Sequence, residues 1–191
     1  MNYDLENIKF RVKEEELDVC IISYGGSCTN LLFNILRQNG YNKKLTNIWT
    51  EILCHYPDYI ELDIPIIYIY DILKKGYLSM KNRFLNCRNY NVLTKYEYDN
   101  SQYSDEKLIK QMIFQYHNWT KKKYDNVLII KSKELFEPDI KLKLQNFLKN
   151  DNLMCLPAIY RKPKIDLNTH KICKSDLELF EKYEKEIDDI N

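Results

Sequence analysis

A continuous apolar run, "IPIIYIY" from Ile64 to Tyr70, constrains the fold more than any other segment of the chain. The run is rich in β-branched and aromatic residues, which favour strands, and it shows no alternation of polar and apolar positions. Such a strand is buried on both faces, as are the strands of parallel sheets that helices cover. The run therefore predicts a buried strand in a parallel sheet.

The order of strand, loop and helix occurs three times along the chain. The predicted strands lie near Val19–Ser23, Ile66–Tyr70 and Val127–Ile130. Helical patterns follow them at Asn30–Arg37, at Ile72 to about Phe84, and after Pro138. Successive units of this kind build a parallel sheet with helices on its faces. We therefore predict an α/β fold, a three-layer α/β/α arrangement with a central parallel sheet, formed by residues 1–191 as a single domain.

Further helices are predicted outside these units. Ser104 is placed to cap a long amphipathic helix whose first turn carries Asp105 and Glu106. The apolar stripe of this helix consists of Leu108, Met112, Tyr116 and Trp119. A short helix is predicted at "LTNIWTEIL" and a last helix from Ser175 to about Ile190, whereas residues 86–102 show no clear period and are predicted to form a loop.

The composition excludes several classes of function. A formal net charge of +1 over 191 residues creates no global field toward nucleic acid, and no apolar run approaches the length of a membrane span. The charged first residues do not resemble a signal peptide, so a cytoplasmic protein is expected. Abundant Lys, Asn and Tyr are typical of an AT-rich genome such as that of a giant virus, for which the compartment is the host cytoplasm. The six cysteines form no CxxC pair, and buried reduced thiols with no metal site are expected.

The stretch "CIISYGGSCTNLLFNIL", Cys20 to Leu36, has the order of a phosphate-binding turn. A glycine pair follows the first strand, polar side chains follow the glycines, and the free N–H groups of a helix start point into the same space. The candidate anion-binding residues are Gly25, Gly26, Ser27, Cys28, Thr29 and Asn30. The loop is not a Walker A sequence, because GxxxxGK[ST] is absent. An ordinary strand-to-helix turn remains the alternative.

The order of the motifs resembles the sulfotransferase superfamily, which uses 3′-phosphoadenosine-5′-phosphosulfate (PAPS). "ISYGGSCTNLL" resembles its 5′-phosphosulfate loop, and "IPIIYIYDILKKGYLSM" its 3′-phosphate strand, loop and helix. "LCHYPDY" is similar to the segment that carries the catalytic base. "QYHNWTKKKYDNVLIIKSKELFEPDIKLKLQNFLKN" resembles the family's His-and-Trp helix, third strand and following helix. The resemblance covers most of the chain in the same order.

The resemblance implies a sulfotransferase-like P-loop fold and sulfuryl transfer from PAPS to a hydroxyl of a small molecule or glycan. Residues 25–30 would bind the 5′-phosphosulfate and Ser79 the 3′-phosphate. His55 would be the catalytic base, and an imidazole suits this role because its pKa lies near the working pH. A hydrogen-bonded loop histidine is the alternative interpretation of His55.

Four residues depart from the family's pattern. Gly26 stands in place of the loop Lys or Arg, Cys28 in place of a Gly, Leu53 in place of a Lys, and Asp71 in place of the Arg that grips the 3′-phosphate. An Arg–phosphate bond contributes about 1.5–3 kcal/mol, and a carboxylate repels phosphate by a few kcal/mol. Together the changes at positions 26 and 71 are expected to weaken binding of the cofactor by roughly a thousandfold or more.

The missing charge has candidate replacements. Lys75 lies one helical turn after Asp71 and is predicted to pair with it. Cations from other loops are also available, at Lys131, Arg161, Lys162 and Lys164. The sequence leaves open whether the chain catalyses transfer, serves as a catalytically degenerate binding or interaction module, or uses another phosphorylated donor. It does not identify the acceptor or the oligomeric state.

Overall fold

The structure is a computed structural model that describes residues 5–14, 16–25, 27–44, 55–81, 103–154 and 174–188. The helices are α1 (Leu5–Glu14), α2 (Thr29–Gln38), α3 (Leu73–Lys81), α4 (Asp105–Thr120), α5 (Ile140–Leu148) and α6 (Lys174–Asp188). The strands are β1 (Cys20–Ile22), β2 (Ile66–Tyr70) and β3 (Val127–Lys131), and a short 3₁₀ helix, Ser132–Phe136, follows β3.

The three strands form one parallel sheet, as the sequence predicts, and their order in it is β1-β2-β3. Cys20 pairs with Ile66 in the register of β1 and β2, and Ile66 pairs with Val127 in that of β2 and β3. The structure therefore has an α/β fold with a small open parallel sheet. The carboxyl ends of all three strands meet at one edge, which we call the carboxyl edge, and the loop after β1 lies there as predicted.

The burial of the strands follows from their composition. Every residue of β2 is buried, because this strand lies between two others and helices cover it. The residues of β1 are also buried, whereas β3 is partly exposed over most of its length. The prediction of a buried strand from the continuous apolar run of β2 is thus confirmed.

Helix α4 forms at the place that its capping signal indicates. The Ser104 hydroxyl accepts a hydrogen bond from the Lys107 N–H at 3.2 Å, and Asp105 and Glu106 lie in the first turn. The predicted stripe is confirmed, since all four of its residues are buried: Leu108, Met112, Tyr116 and Trp119. The stripe places α4 against the sheet.

Aromatic rings connect α4 to β2. The Trp119 ring stacks on the Tyr68 ring with 5.8 Å between centroids, and Tyr116 meets Tyr70 edge-to-face at 5.0 Å. Ring pairs in these geometries add to the stabilisation from burial alone. Tyr68 and Tyr70 lie two residues apart on one face of β2, so α4 covers this face as far as the carboxyl edge.

Some predicted elements lie outside the described residues. These are the short helix within residues 45–53, the loop at residues 86–102, and four of the six cysteines. Of the described cysteines, Cys20 is buried and Cys28 is partly exposed. Within the described ranges, no helix combines the length and the apolarity that crossing a membrane requires.

Candidate functional site

The loop after β1 is braced from within by its own side chains. The Ser23 hydroxyl exchanges a hydrogen bond with the Thr29 hydroxyl at 2.8 Å and accepts one from the Gly25 N–H at 3.1 Å. The Ser27 hydroxyl donates to the Gly25 carbonyl at 3.1 Å. Gly25 has φ 104, in the left-handed region that favours glycine. The hydroxyls predicted to contact an anion therefore also fix the shape of the loop.

Helix α2 begins at this loop with an uncapped N-terminus. Cys28 is the N-cap residue, and its side chain makes no capping hydrogen bond. Its φ of 60 lies in the left-handed region, which a non-glycine residue seldom adopts. The first N–H groups of any α-helix lack partners within the helix, and the first turn of α2 carries no acidic residue. The start of α2 is therefore electrostatically suited to an anion.

Gly26 lies outside the described residues, so its predicted place in the anion-binding loop stays a prediction. Asn30 lies in the first turn of α2 with its side chain exposed. Ser79 lies in α3, partly exposed, three residues after Gly76. At Gly76, α3 lies close to Tyr24 and Gly25 of the loop. Ser79 therefore lies about one helical turn beyond this contact.

Tyr24 joins the loop to the end of β2. Its hydroxyl donates to the Asp71 carbonyl and accepts from the Asp71 N–H at 2.9 Å. The ring is buried against α3, where a Cβ added at Gly76 would stand 2.7 Å from Tyr24 Cε2. Burial raises the pKa of Tyr24 far above its usual value, and the Asp71 carboxylate raises it further. Tyr24 thus ties the β1 loop to the start of α3.

We expect the protein to lose stability as the pH rises above about 10. Burial holds the pKa of Tyr24 and of Tyr68 well above 10.0 in the folded state, so the unfolded chain releases these protons first. The stability is fully present below the unfolded-state pKa and then falls by about 1.4 kcal/mol per pH unit for each tyrosine. Urea unfolding curves between about pH 8 and pH 12 measure this loss.

Two phenylalanine variants separate the contributions of these tyrosines. The Tyr68 hydroxyl is buried without a hydrogen-bond partner among the described atoms, so Tyr68→Phe should cost no stability at neutral pH and should reduce the alkaline loss. Tyr24→Phe breaks both bonds to Asp71 and should cost about 1–3 kcal/mol at neutral pH. Equal alkaline slopes in Tyr68→Phe and the wild type would contradict the role of buried phenols.

His55 lies against the same loop. Its Nδ1 is 2.8 Å from the Ser23 carbonyl oxygen. A carbonyl only accepts, so Nδ1 carries the proton and Nε2 carries the lone pair of the neutral ring. The imidazole is half-buried, and its basic nitrogen is thereby defined. The resemblance implies His55 as the base and the loop after β1 as the donor site. The structure brings His55 into contact with the start of this loop.

Helix α4 holds the segment that follows His55. Gln115 Nε2 donates to the Tyr56 carbonyl at 2.9 Å, and Trp119 Nε1 donates to the same oxygen at 3.1 Å. Asn118 Nδ2 donates to the Pro57 carbonyl at 3.3 Å and to the Asp58 carboxylate at 3.1 Å. These three residues are spaced at i, i+3 and i+4, so they share one side of the helix. Residues 55–58 are therefore bound to α4.

The charges at the carboxyl edge differ from the sequence-based expectation. Asp71 precedes α3, its Oδ1 accepts from the Ile72 N–H at 2.7 Å, and in the described part of the chain it forms no ion pair with Lys75. Lys131 ends β3 at this edge, with its Nζ 5.9 Å from the centroid of the Tyr70 ring. Lys131 is thus a cation at the predicted edge, whereas Arg161, Lys162 and Lys164 lie outside the described residues.

Three residues that shape this site lie outside the candidate residues predicted from the sequence: Ser23, Tyr24 and Gln115. Only Gln115 has a local signal, because it is a polar residue between Met112 and Trp119 on the apolar stripe of α4. A polar residue on a buried face requires hydrogen-bond partners. The partner of Tyr24, Asp71, lies 47 positions away, whereas the Ser23 hydroxyl binds Gly25 and Thr29 within its own loop, where no pattern in the sequence marks it.

Comparison with known proteins identifies no relative: no family model, no curated protein and no solved structure matches the chain. Among the residues that the structure describes, no group of three His, Cys, Asp or Glu side chains is arranged to hold a metal ion. The site's chemistry is therefore inferred from its own geometry and from the motif resemblance.

Proposed function

We propose that the chain is a divergent sulfotransferase-like protein with a three-layer P-loop-like fold. In this proposal it transfers a sulfuryl group from PAPS to a hydroxyl of a small molecule or glycan. One observation carries the proposal, namely the hydrogen bond between His55 Nδ1 and the Ser23 carbonyl. Two motifs that are 32 residues apart in the chain meet at the carboxyl edge of a parallel sheet, where such sheets bind ligands.

The backbone of the loop adds support. Cys28 stands where the family's motif has a glycine, and its φ of 60 is a conformation that glycine adopts without strain. Cys28 has a side chain and still adopts this backbone conformation, which supports a loop of the family's shape. The uncapped start of α2 then offers N–H groups to the anionic end of a donor.

The residues of the site have separate roles in this proposal. The S–O bond between the sulfuryl group and the 5′-phosphate of PAPS would break, 3′-phosphoadenosine-5′-phosphate would leave, and a new S–O bond would form to the acceptor hydroxyl. The backbone N–H groups at the start of α2 bind the anionic 5′ end, and Ser23, Ser27 and Thr29 hold the loop in shape. His55 Nε2 accepts the proton of the acceptor hydroxyl while Nδ1 stays bonded to Ser23. Lys131 supplies positive charge at the same edge.

A specific observation favours a second candidate, a catalytically degenerate binding or interaction module. The Asp71 carboxylate stands at the carboxyl edge without an ion-pair partner in the described ranges, where the family has an arginine for the 3′-phosphate. A carboxylate there disfavours a 3′-phosphate. The same observation is compatible with another phosphorylated donor in the loop.

Calorimetry with 3′-phosphoadenosine-5′-phosphate and a transfer assay with PAPS test the proposal. We expect wild-type binding in about the micromolar range, equivalent to about 8 kcal/mol, and measurable transfer to hydroxyl acceptors. His55→Asn retains a donor near the Nδ1 position, so it should keep the binding and lose about 10²–10⁴-fold in transfer rate.

The matched control is His117→Asn, which removes the partly exposed histidine of α4 and should change neither quantity. A folded wild-type protein with no binding heat and no transfer would contradict the enzyme and favour the module. Binding without transfer would favour a module that retains the nucleotide site.

A further inference from the structure

The Ser23 carbonyl accepts hydrogen bonds from two side chains that come from distant parts of the chain. His55 Nδ1 lies 2.8 Å from this oxygen, and Gln115 Nε2 lies 3.3 Å from it. A carbonyl oxygen has two lone pairs, so both bonds form together. The end of β1, the segment of His55 and helix α4 therefore converge on one atom.

Gln115 also binds the residue next to His55. Its Nε2 donates to the Tyr56 carbonyl at 2.9 Å, so one amide group bridges Ser23 and Tyr56. The bridge keeps the backbone beside His55 at a fixed separation from the carbonyl that His55 binds. The bridge thereby stabilises the arrangement in which His55 Nδ1 meets the Ser23 carbonyl.

The burial of Gln115 indicates that its amide is retained for these bonds. The side chain is fully buried on the apolar stripe of α4, where a leucine or methionine would pack without polar atoms. Its Oε1 has no hydrogen-bond partner among the described atoms. Burying an acceptor in this state is unfavourable, so the compensating benefit lies in the two donor contacts.

We propose that Gln115 is a positioning residue that holds His55 in the tautomer with the proton on Nδ1 and the lone pair on Nε2. This inference rests on the proposed function for the role of His55 as base, whereas the contact itself does not. Gln115 touches neither donor nor acceptor in this assignment. It acts through the Ser23 carbonyl and the backbone at Tyr56.

The test is the ¹⁵N spectrum of the His55 ring in the full chain, which distinguishes the two neutral tautomers. Wild-type protein should show the Nδ1–H form. Gln115→Leu removes the amide at similar volume and should shift the ring toward the Nε2–H form. Gln115→Met, which keeps the length of the side chain, serves as a second variant if the leucine protein does not fold.

Asn118→Leu is the matched control. It removes another amide of α4 that binds the same segment, at Pro57 and Asp58, but leaves the Ser23 carbonyl untouched. The His55 spectrum should therefore be unchanged in this variant. In the transfer assay Gln115→Leu should lower kcat by about 10–100-fold with KM unchanged, because the base is misplaced and donor binding is retained.

The outcomes separate this inference from the proposed function. An Nε2–H tautomer in the wild type, or a folded Gln115→Leu or Gln115→Met protein with the wild-type spectrum, would overturn the positioning role. The tautomer is measured without PAPS. The wild type could show the expected tautomer, and Gln115→Leu could lose it, while the wild type transfers no sulfuryl group. That result would overturn the sulfotransferase function alone.

Discussion

Replacing Asp71 by arginine is expected to tighten binding of 3′-phosphoadenosine-5′-phosphate by about a hundredfold or more. Asp71 directly follows β2 at the carboxyl edge, and in the described residues it forms no ion pair. The change removes a repulsion of phosphate and adds a bidentate donor, each worth about 1.5–3 kcal/mol. Adding Gly26→Lys restores the cation of the loop, and the double variant should gain roughly a thousandfold or more in total.

Two variants control for the change of charge. Asp71→Asn removes the carboxylate without adding a fork of donors, so its affinity should lie between wild type and Asp71→Arg. Asp125→Arg makes the same reversal on an exposed residue next to the start of β3, at the opposite edge of the sheet, and should change affinity little. Equal affinities in wild type, Asp71→Arg and the double variant would contradict a nucleotide phosphate site at this edge.

Gly76→Ala is expected to destabilise the protein by about 2–4 kcal/mol, although alanine favours helices by about 1 kcal/mol over glycine. The added Cβ would stand 2.7 Å from Tyr24 Cε2 and 3.2 Å from the Gly25 carbonyl oxygen. The Tyr24 ring cannot move aside freely, because its hydroxyl holds both backbone groups of Asp71. Overpacking and the loss of these bonds therefore outweigh the gain in helix propensity.

A double-mutant cycle with Tyr24→Leu tests the cause. Leucine lacks the Cε2 atom that the new methyl group would meet at 2.7 Å, so Gly76→Ala should be less destabilising in that background, where the 3.2 Å approach to the Gly25 carbonyl oxygen remains. Urea unfolding gives the four free energies of unfolding, and the coupling energy should exceed about 1 kcal/mol. Additive effects at the two positions would show that the contact between α3 and Tyr24 does not limit the residue at position 76.

The amino-acid sequence determined the three strands, the helices that follow them and the parallel plan of the sheet, whereas helix α1 was not predicted. Local apolar runs rich in β-branched residues identified the three strands, because such runs favour strands that helices cover. The cap at Ser104 and the stripe of α4 were predicted correctly, since capping and helical periodicity depend on residues within one or two turns. The location of the loop at the carboxyl edge followed from the order of strand and helix.

Only the tertiary structure decided how the site is assembled. The contacts of Ser23 with His55 and with Gln115 join residues that are 32 and 92 positions apart, and no local pattern specifies such partners. The expected pairing of Asp71 with Lys75 failed because Asp71 precedes α3 and instead binds the Ile72 N–H. Local signals act over neighbouring residues, whereas hydrogen bonds in a buried site are set by which elements the core brings together.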